Sequence, residues 1–498
     1  MVCAHEPTLD PRIRWEAEGA ADRFAVSVLG FNRDDGSLPE HENVDGYRIV
    51  RLKPIQVSGA HYFWRLKDVI SNRVRVPIGI LAVLLWPIMV LAEILLLLLR
   101  AVARTMVRWM VRCTSRLVTV SLLFKALRGS TIPGLVRGRL IARVQYIVVV
   151  LRVQFATATS LFWNYLRDAS EKPDVIHCND LDTLLVGVLA KQRYGCRLIF
   201  DAHEFYPHSD PNGKWIDVTF FSMLERFLIR KADAVVTVNP PLAAAMRDAY
   251  GLERVYYVPN AEPWTEVRPK PPAGSEMERL AKGRTRFLFQ GRFTPGRGID
   301  ELIEGWARVD GCKAALFLRG PDNMWRQTAM MLAARLGLLD RSVYFLDAVQ
   351  EDRLVAAAAE AEIGIIPYKP LIINDRLCCP NKLSQYLHAG LMVIANDLPY
   401  VKSVLTEAEA GLFYNSADLD TLAAVVHRIV GDPELLSRNR GNALRFARDR
   451  FNWQVQAETL YALYRSTADV AENAPSGVVV QTATYPEGAA PRACGQSS

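Results

Sequence analysis

The chain is expected to fold as two doubly wound α/β domains in tandem, each built on a mainly parallel sheet. Three observations predict this. Short apolar strands alternate with helical stretches in two separate series. A Pro-rich, charged stretch from Glu262 to Gly283 divides those series. A length of 498 residues is too great for a single hydrophobic core.

The elements follow in order. Met1 to Ala4 is barely enough for a strand. Pro11 to about Asp22 has helical spacing, with Asp10 as N-cap and Pro11 at the first helical position. Strands are predicted at Phe24 to Gly30 and Tyr47 to Leu52. The α/β rhythm then stops and resumes at Asp174. There Val175 to Cys178 reads as a buried strand and Leu181 to Arg193 as a helix. Further strands are expected at Arg197 to Asp201, Ala234 to Val238 and Val255 to Val258. The second series places strands at Arg286 to Gln290, Ala314 to Arg319, Val343 to Leu346, Ile363 to Pro367 and Val393 to Asn396. These limits give a first domain over 1–261 and a second over 284–466, with the last helix free to cross back to the first. The polar, Pro/Gly-rich stretch 467–498 is expected to be disordered.

Residues 70–167 interrupt the first domain. Ile94 to Arg167 holds twelve basic residues and no acidic one, leaving 48 basic against 53 acidic elsewhere, so the whole positive excess lies here. Val76 to Leu99 is apolar except for Glu93, and as a helix it would extend about 36 Å. Arg100, Arg104, Arg108, Arg112 and Arg116 recur every fourth residue on one slowly drifting helix face. Nucleic-acid binders spread their basic residues over a polar face, so nucleic acid is not an expected partner. Arginines bordering Leu, Val and Ile suit an anionic lipid surface. Because the flanking strands share one sheet, the segment crosses a membrane twice or not at all. A surface-lying or re-entrant element, a two-span hairpin and helices buried in a soluble core all remain open.

The eight cysteines show no C-x-x-C pair and no His/Cys ligand spacing, which suits reduced thiols in a cytosolic protein. The N-terminus carries no apolar signal region, so export is not expected. Neither a G-x-G-x-x-G after the first strand nor a P-loop is present.

Two stretches carry chemistry. Phe289-Gln290-Gly291-Arg292-Phe293-Thr294-Pro295-Gly296-Arg297-Gly298 ends a strand and enters a helix. Its glycines allow backbone to approach a ligand, and its two arginines with a helix N-terminus suit a diphosphate. A plain turn bearing two solvated arginines is the other reading. In Cys379-Pro380-Asn381-Lys382, proline starts a short helix whose first turn holds Lys382, and Gly390 precedes the next strand. Lys382 is placed either on a phosphate or at the surface. His203 fits a satisfied strand-end histidine as well as a reacting one. Asp180-Leu181-Asp182 has a D-x-D pattern but enters a helix of the first domain, far from the expected diphosphate.

Taken together these stretches resemble the retaining glycosyltransferases of family 4, which have the GT-B fold: two Rossmann-like domains facing a cleft. The resemblance rests on Asp10 to Arg14, Val175 to Asp182, Phe200 to Glu204, the Gly291 to Gly298 loop and Pro380 to Gly390. It implies that Arg292 and Arg297 hold the donor diphosphate with help from Lys382, and that His203 lies near the transferred sugar or the acceptor. Gly291, Gly320, Asn381 and Gln385 complete the implied donor-binding set. The family commonly has two glutamates eight apart where this chain has Leu377 and Gln385, and the second of them contacts the donor ribose.

The function so implied is transfer of a sugar from a nucleotide-sugar donor, with retention, to a lipid-linked or glycan acceptor in polysaccharide or glycolipid synthesis. No metal and no cofactor are expected, and the place is the cytoplasmic face of the cell membrane. A degenerate membrane scaffold and a sugar-nucleotide epimerase are the alternatives.

Overall fold

Strands form where β-branched and aromatic residues concentrate between turn residues, and they assemble into two sheets. The computed structural model describes residues 1–32, 36–53, 158–209, 215–266 and 274–466. The Val76 to Leu99 run, the arginine ladder and the tail from 467 lie outside these residues. The chain divides into one compact unit, Met1–Lys53 with Leu161 onward, and a second, Pro54–Ser160.

The first sheet contains β1 (Ser27–Phe31), β2 (His41–Val44), β3 (Tyr47–Leu52), β4 (Val175–Asn179), β5 (Arg197–Ala202), β6 (Ala234–Thr237) and β7 (Tyr256–Tyr257). It runs in two hydrogen-bonded groups, β2-β3-β1 and β4-β5-β6-β7. Val2 joins them, bridging Leu29 of β1 and Cys178 of β4. Its N–H donates to the His177 carbonyl at 2.8 Å, and the Cys3 N–H donates to the Leu29 carbonyl at 3.0 Å. A stretch too short to be assigned as a strand thus closes the middle of the sheet. The pairing is parallel except between β2 and β3, which form a hairpin. Asp45 and Gly46 turn it with φ of 43° and 85°, and Asp-Gly is a strong hairpin signal. No strand was expected at β2.

The second sheet contains β8 (Thr285–Gln290), β9 (Ala314–Arg319), β10 (Val343–Leu346), β11 (Ile363–Ile366), β12 (Met392–Asn396) and β13 (Gly411–Tyr414), all parallel in the order β10-β9-β8-β11-β12-β13. The chain winds outward in one direction from β8 and in the other from β11. The crevice outside the carboxyl ends of β8 and β11 is therefore the place where such a sheet binds ligands.

Two helices set the limits of the first domain, the first of them earlier than expected. The helix Ala158–Asp168 belongs to the first α/β layer, so packing resumes there rather than at Asp174. Its Phe162 is fully buried and stacks on Phe31 at 4.6 Å, so the last residues given to the 70–167 insert serve a protein core. The final helix, Trp453–Arg465, follows the second sheet in sequence but packs under the first. Trp453, Ala457, Leu460, Tyr461 and Leu463 share one cluster with Trp15, Ile199, Val236 and Val258. Gly19 permits this approach, since a Cβ there would lie 2.0 Å from the Tyr461 hydroxyl. The Arg23–Glu458 ion pair at 2.6 Å and a 2.7 Å contact from Tyr464 Oη to His177 Nδ1 fix the register.

Truncating Trp453 to alanine should cost about 3–5 kcal/mol in equilibrium unfolding, the usual range for a buried tryptophan. A loss below about 1 kcal/mol would show that the helix is not part of that core.

Candidate active site

The first residues after β8 and β11 and the start of the helix Asn381–His388 enclose a cavity of about 350 Å³. Gln290, Gly291, Arg297, Tyr368, Cys378, Asn381, Lys382 and Gln385 are among its walls. Three glycines make the walls fit. Gly291 holds φ of 145°, and a Cβ there would sit 3.3 Å from Lys382 Nζ. Gly298 has φ of 68° and passes so close to the Pro367 carbonyl that a Cβ would be 1.9 Å from it. A Cβ on Gly320 would lie 2.1 Å from the Gly291 carbonyl. Gly320 thus seats the loop rather than lining the cavity.

Two cations meet here. Lys382 is buried, donates from Nζ to the Tyr368 hydroxyl, and lies over the Phe289 ring at 5.0 Å. The Arg297 guanidinium lies over Tyr368 at 4.1 Å. Among the described residues neither has an ion pair within 4.0 Å. Burial, and then the charge of Arg297, hold Lys382 well below the usual lysine range. The aromatic faces of Tyr368 and Phe289 supply negative potential beside the two cations. Such a site is built for an anion that brings its own charge. Pro380 offers no side-chain cap, so first-turn amides of the helix add to the pull.

Arg292 is not brought to this cavity. Phe293 takes the buried position in the loop, packing on Phe289 at 5.9 Å, and Arg292 is exposed. Gln385 is present as expected. Its carbonyl oxygen accepts from Gln290 Nε2 at 3.5 Å, and it hydrogen-bonds the Glu262 side chain. The wall without a glutamate at 385 therefore has a carboxylate one residue farther out. Burial pushes that carboxyl up to about 7, against the pull of Gln385.

A second cluster occupies the carboxyl ends of β4 and β5. His203 Nε2 meets Asn179 Oδ1 at 3.1 Å, while Nδ1 lies 3.5 Å from Asp10 and 3.7 Å from Asp180. Burial opposes its charge, but Asp180, Asp10 and Asp201 prevail and push it up to about 10. His203 is thus an imidazolium at neutral pH and acts as a donor. Asp10, read only as a cap, does both jobs: Oδ1 accepts from the Arg12 N–H at 2.9 Å and Oδ2 faces His203. Asp180 holds φ of 61°, a strained region for a non-glycine residue, while Oδ1 accepts from the His203 N–H at 3.1 Å.

Beneath it, Glu16, His177 and Asp201 are buried with ligand atoms within 4.8 Å of one another, a donor set that could suit a metal. Arg12 already fills that role, at 3.0 Å from Glu16 and 2.6 Å from Asp201. Although burial works against it, Arg12 holds Asp201 well below the carboxylate range, whereas burial leaves Glu16 well above. Arg12 also donates to Asn260 Oδ1 at 3.0 Å, and Asn260 Nδ2 donates to Asn381 Oδ1 at 3.0 Å. One chain of side chains thus runs from the first-sheet cluster to the cavity wall. Sequence reading gave Arg12, Asn260 and Tyr368 no role; only Arg12 had a signal, as part of the Asp10 to Arg14 stretch that carries the family resemblance.

Two Rossmann-like sheets, with a cationic cavity at the switch point of the second, define a GT-B-type protein. Residues 104–261 match the family model described as Glycosyl transferase 4-like domain, and residues 284–432 that described as Glycosyl transferases group 1. The chain thus carries both domains of a glycosyltransferase. It is similar to glycogen synthase of Mycobacterium tuberculosis, at 19% identity over 60% of this chain and 70% of that one. It is also similar to D-inositol 3-phosphate glycosyltransferase of Thermomonospora curvata, at 23% over 61% and 74%. Sucrose-phosphate synthase from Thermosynechococcus elongatus shares the fold, with a TM-score of 0.62, 16% identity and coverage of 93% and 97%. The first domain match begins at residue 104, inside the stretch 70–167, so from there the stretch belongs to what the family model describes.

The folded value of about 10 for His203 lies above its ordinary 6.5. Its stabilisation is complete below about 6.5 and is lost as pH rises through about 10. Unfolding free energy should fall over that window, and His203→Gln should flatten the slope. An unchanged slope would remove the imidazolium from this site.

Proposed function

We propose that the protein transfers a sugar from a nucleotide-sugar donor, with the diphosphate held by Arg297 and Lys382, to an acceptor bound at the first-sheet side of the cleft. The observation that supports it most is the pair of cations at the switch point, neither with a carboxylate within 4.0 Å among the described residues. The bond from the anomeric carbon to the diphosphate oxygen breaks while the acceptor oxygen bonds to that carbon from the same face. The acceptor's proton passes to the departing diphosphate. Arg297, Lys382 and the amides at the start of the helix Asn381–His388 are in place before charge develops, which is the effective form of electrostatic catalysis. His203, its two ring nitrogens directed at Asn179 and at Asp10 and Asp180, sets positive charge beside the acceptor and does not abstract a proton. This transfer needs no metal ion in the proposed form.

A lipid-linked acceptor, and a place on the cytoplasmic face of a membrane, rest on the apolar, arginine-bordered stretch alone. Among the described residues no helix is long and apolar enough to cross a membrane. A membrane scaffold would fit Gln385 in place of a glutamate and the short first strand; the cavity with Glu262 behind Gln385, and Val2 bridging the first sheet, favour an active enzyme.

Nucleotide sugars screened against membrane lipid extracts, with products read by mass spectrometry, test the reaction. Arg297→Ala and Lys382→Ala should each lower turnover about 100-fold or more, and Arg292→Ala less than about 10-fold. Full turnover in the Arg297/Lys382 double variant would refute the assignment.

A further inference from the structure

The helix Trp215–Ile229 presents two unlike faces. Its inner face buries Asp217, Phe221, Glu225 and Leu228, with Phe221 on Tyr206 at 5.4 Å and Glu225 accepting from the Tyr250 hydroxyl. Helical spacing requires the opposite face to meet solvent, and polar residues are the rule there. Met223 and Phe227 stand on it instead, one turn apart, 68% and 60% exposed. Around them lie Arg226, Arg230 and Lys231, and the five residues line an open surface depression of about 330 Å³. Lys231 Nζ is 6.0 Å from the Phe227 ring, and Arg230 donates to the Tyr250 carbonyl at 3.0 Å. Among the described residues, none of the three cations has a carboxylate within ion-pair distance. This surface has no place in the transfer chemistry.

Two unbranched or aromatic apolar side chains ringed by three basic ones match a bilayer interface in both parts. Apolar groups enter the acyl boundary while the long basic side chains reach phosphate. We propose that this face is an anionic-lipid docking surface that lays the first domain on a membrane, separately from residues 54–157. The inference rests on the membrane-associated reading of the protein and assigns one contact of that association to a named helix. A polar peptide partner would leave Met223 and Phe227 without a purpose, and a neutral surface would leave the three cations without one.

The test uses the full chain with phosphatidylcholine vesicles, with and without phosphatidylglycerol, reading affinity by flotation and local protection by hydrogen–deuterium exchange. Anionic vesicles should protect peptides covering 219–231. Arg226→Glu/Lys231→Glu should weaken binding about ten-fold or more, as should Met223→Ser/Phe227→Ser, with thermal midpoints unchanged. Arg230 is left in place because it ties the helix to Tyr250. Binding with no protection at 219–231 and no effect of either variant would overturn the inference while leaving membrane association intact. No binding to anionic vesicles would overturn both. Protection that grows with protein concentration in the absence of lipid would assign the face to a second copy of the chain.

Discussion

The structure turns on a positive charge that is buried and left unbalanced. Transferring an ammonium group from water into a protein interior is costly unless a partner compensates. Lys382 is enclosed by Tyr368 and Phe289 with Arg297 close by, and no carboxylate answers either cation within ion-pair distance among the described residues. Burial, and then the charge of Arg297, hold Lys382 low on its titration scale. A diphosphate bound here would favour its charged form. The close approaches at Gly291, Gly298 and Gly320 exist to bring these groups and the backbone to one place.

The second constraint is the joining of two sheets. The final helix is built into the core of the first domain, and Asn260 links Arg12 to Asn381 across the cleft. Further backbone ties run from Asn239 to the Leu377 carbonyl at 2.6 Å and from the Phe205 N–H to Asn374 at 2.9 Å. The stretch that forms the cavity wall, residues 374–381, is thereby held by first-sheet residues. The wall of the anion site is thus positioned by contacts from the first sheet.

Much of the α/β framework was legible because parallel strands are short, apolar and bounded by turn residues. β3, β9 and β10 have the limits their sequence suggested. What escaped were elements defined by tertiary context. Val2 acts as a strand only because two neighbours need a bridge, and the helix Ala158–Asp168 reads as more insert until Phe162 meets Phe31. In the cavity wall, Arg297 and Lys382 were singled out by glycine spacing and the Pro-Asn-Lys start of a helix, and Gln385 only by the family resemblance. Arg292 was not separable from Arg297 by sequence, since which arginine turns inward depends on where Phe293 packs. Tyr368 and Asn260 had no local signal, because their roles come from residues more than ten positions away in the chain.

Calorimetric binding of UDP and GDP, against UMP and GMP, tests the pairing of buried Lys382 with Arg297 most directly. If Arg297 and Lys382 grip the outer phosphate, at least one diphosphate should bind about 100-fold more tightly than its monophosphate, a difference of two charge-assisted hydrogen bonds. Equal affinities for the mono- and diphosphates of both bases would contradict a site built around a pyrophosphoryl group.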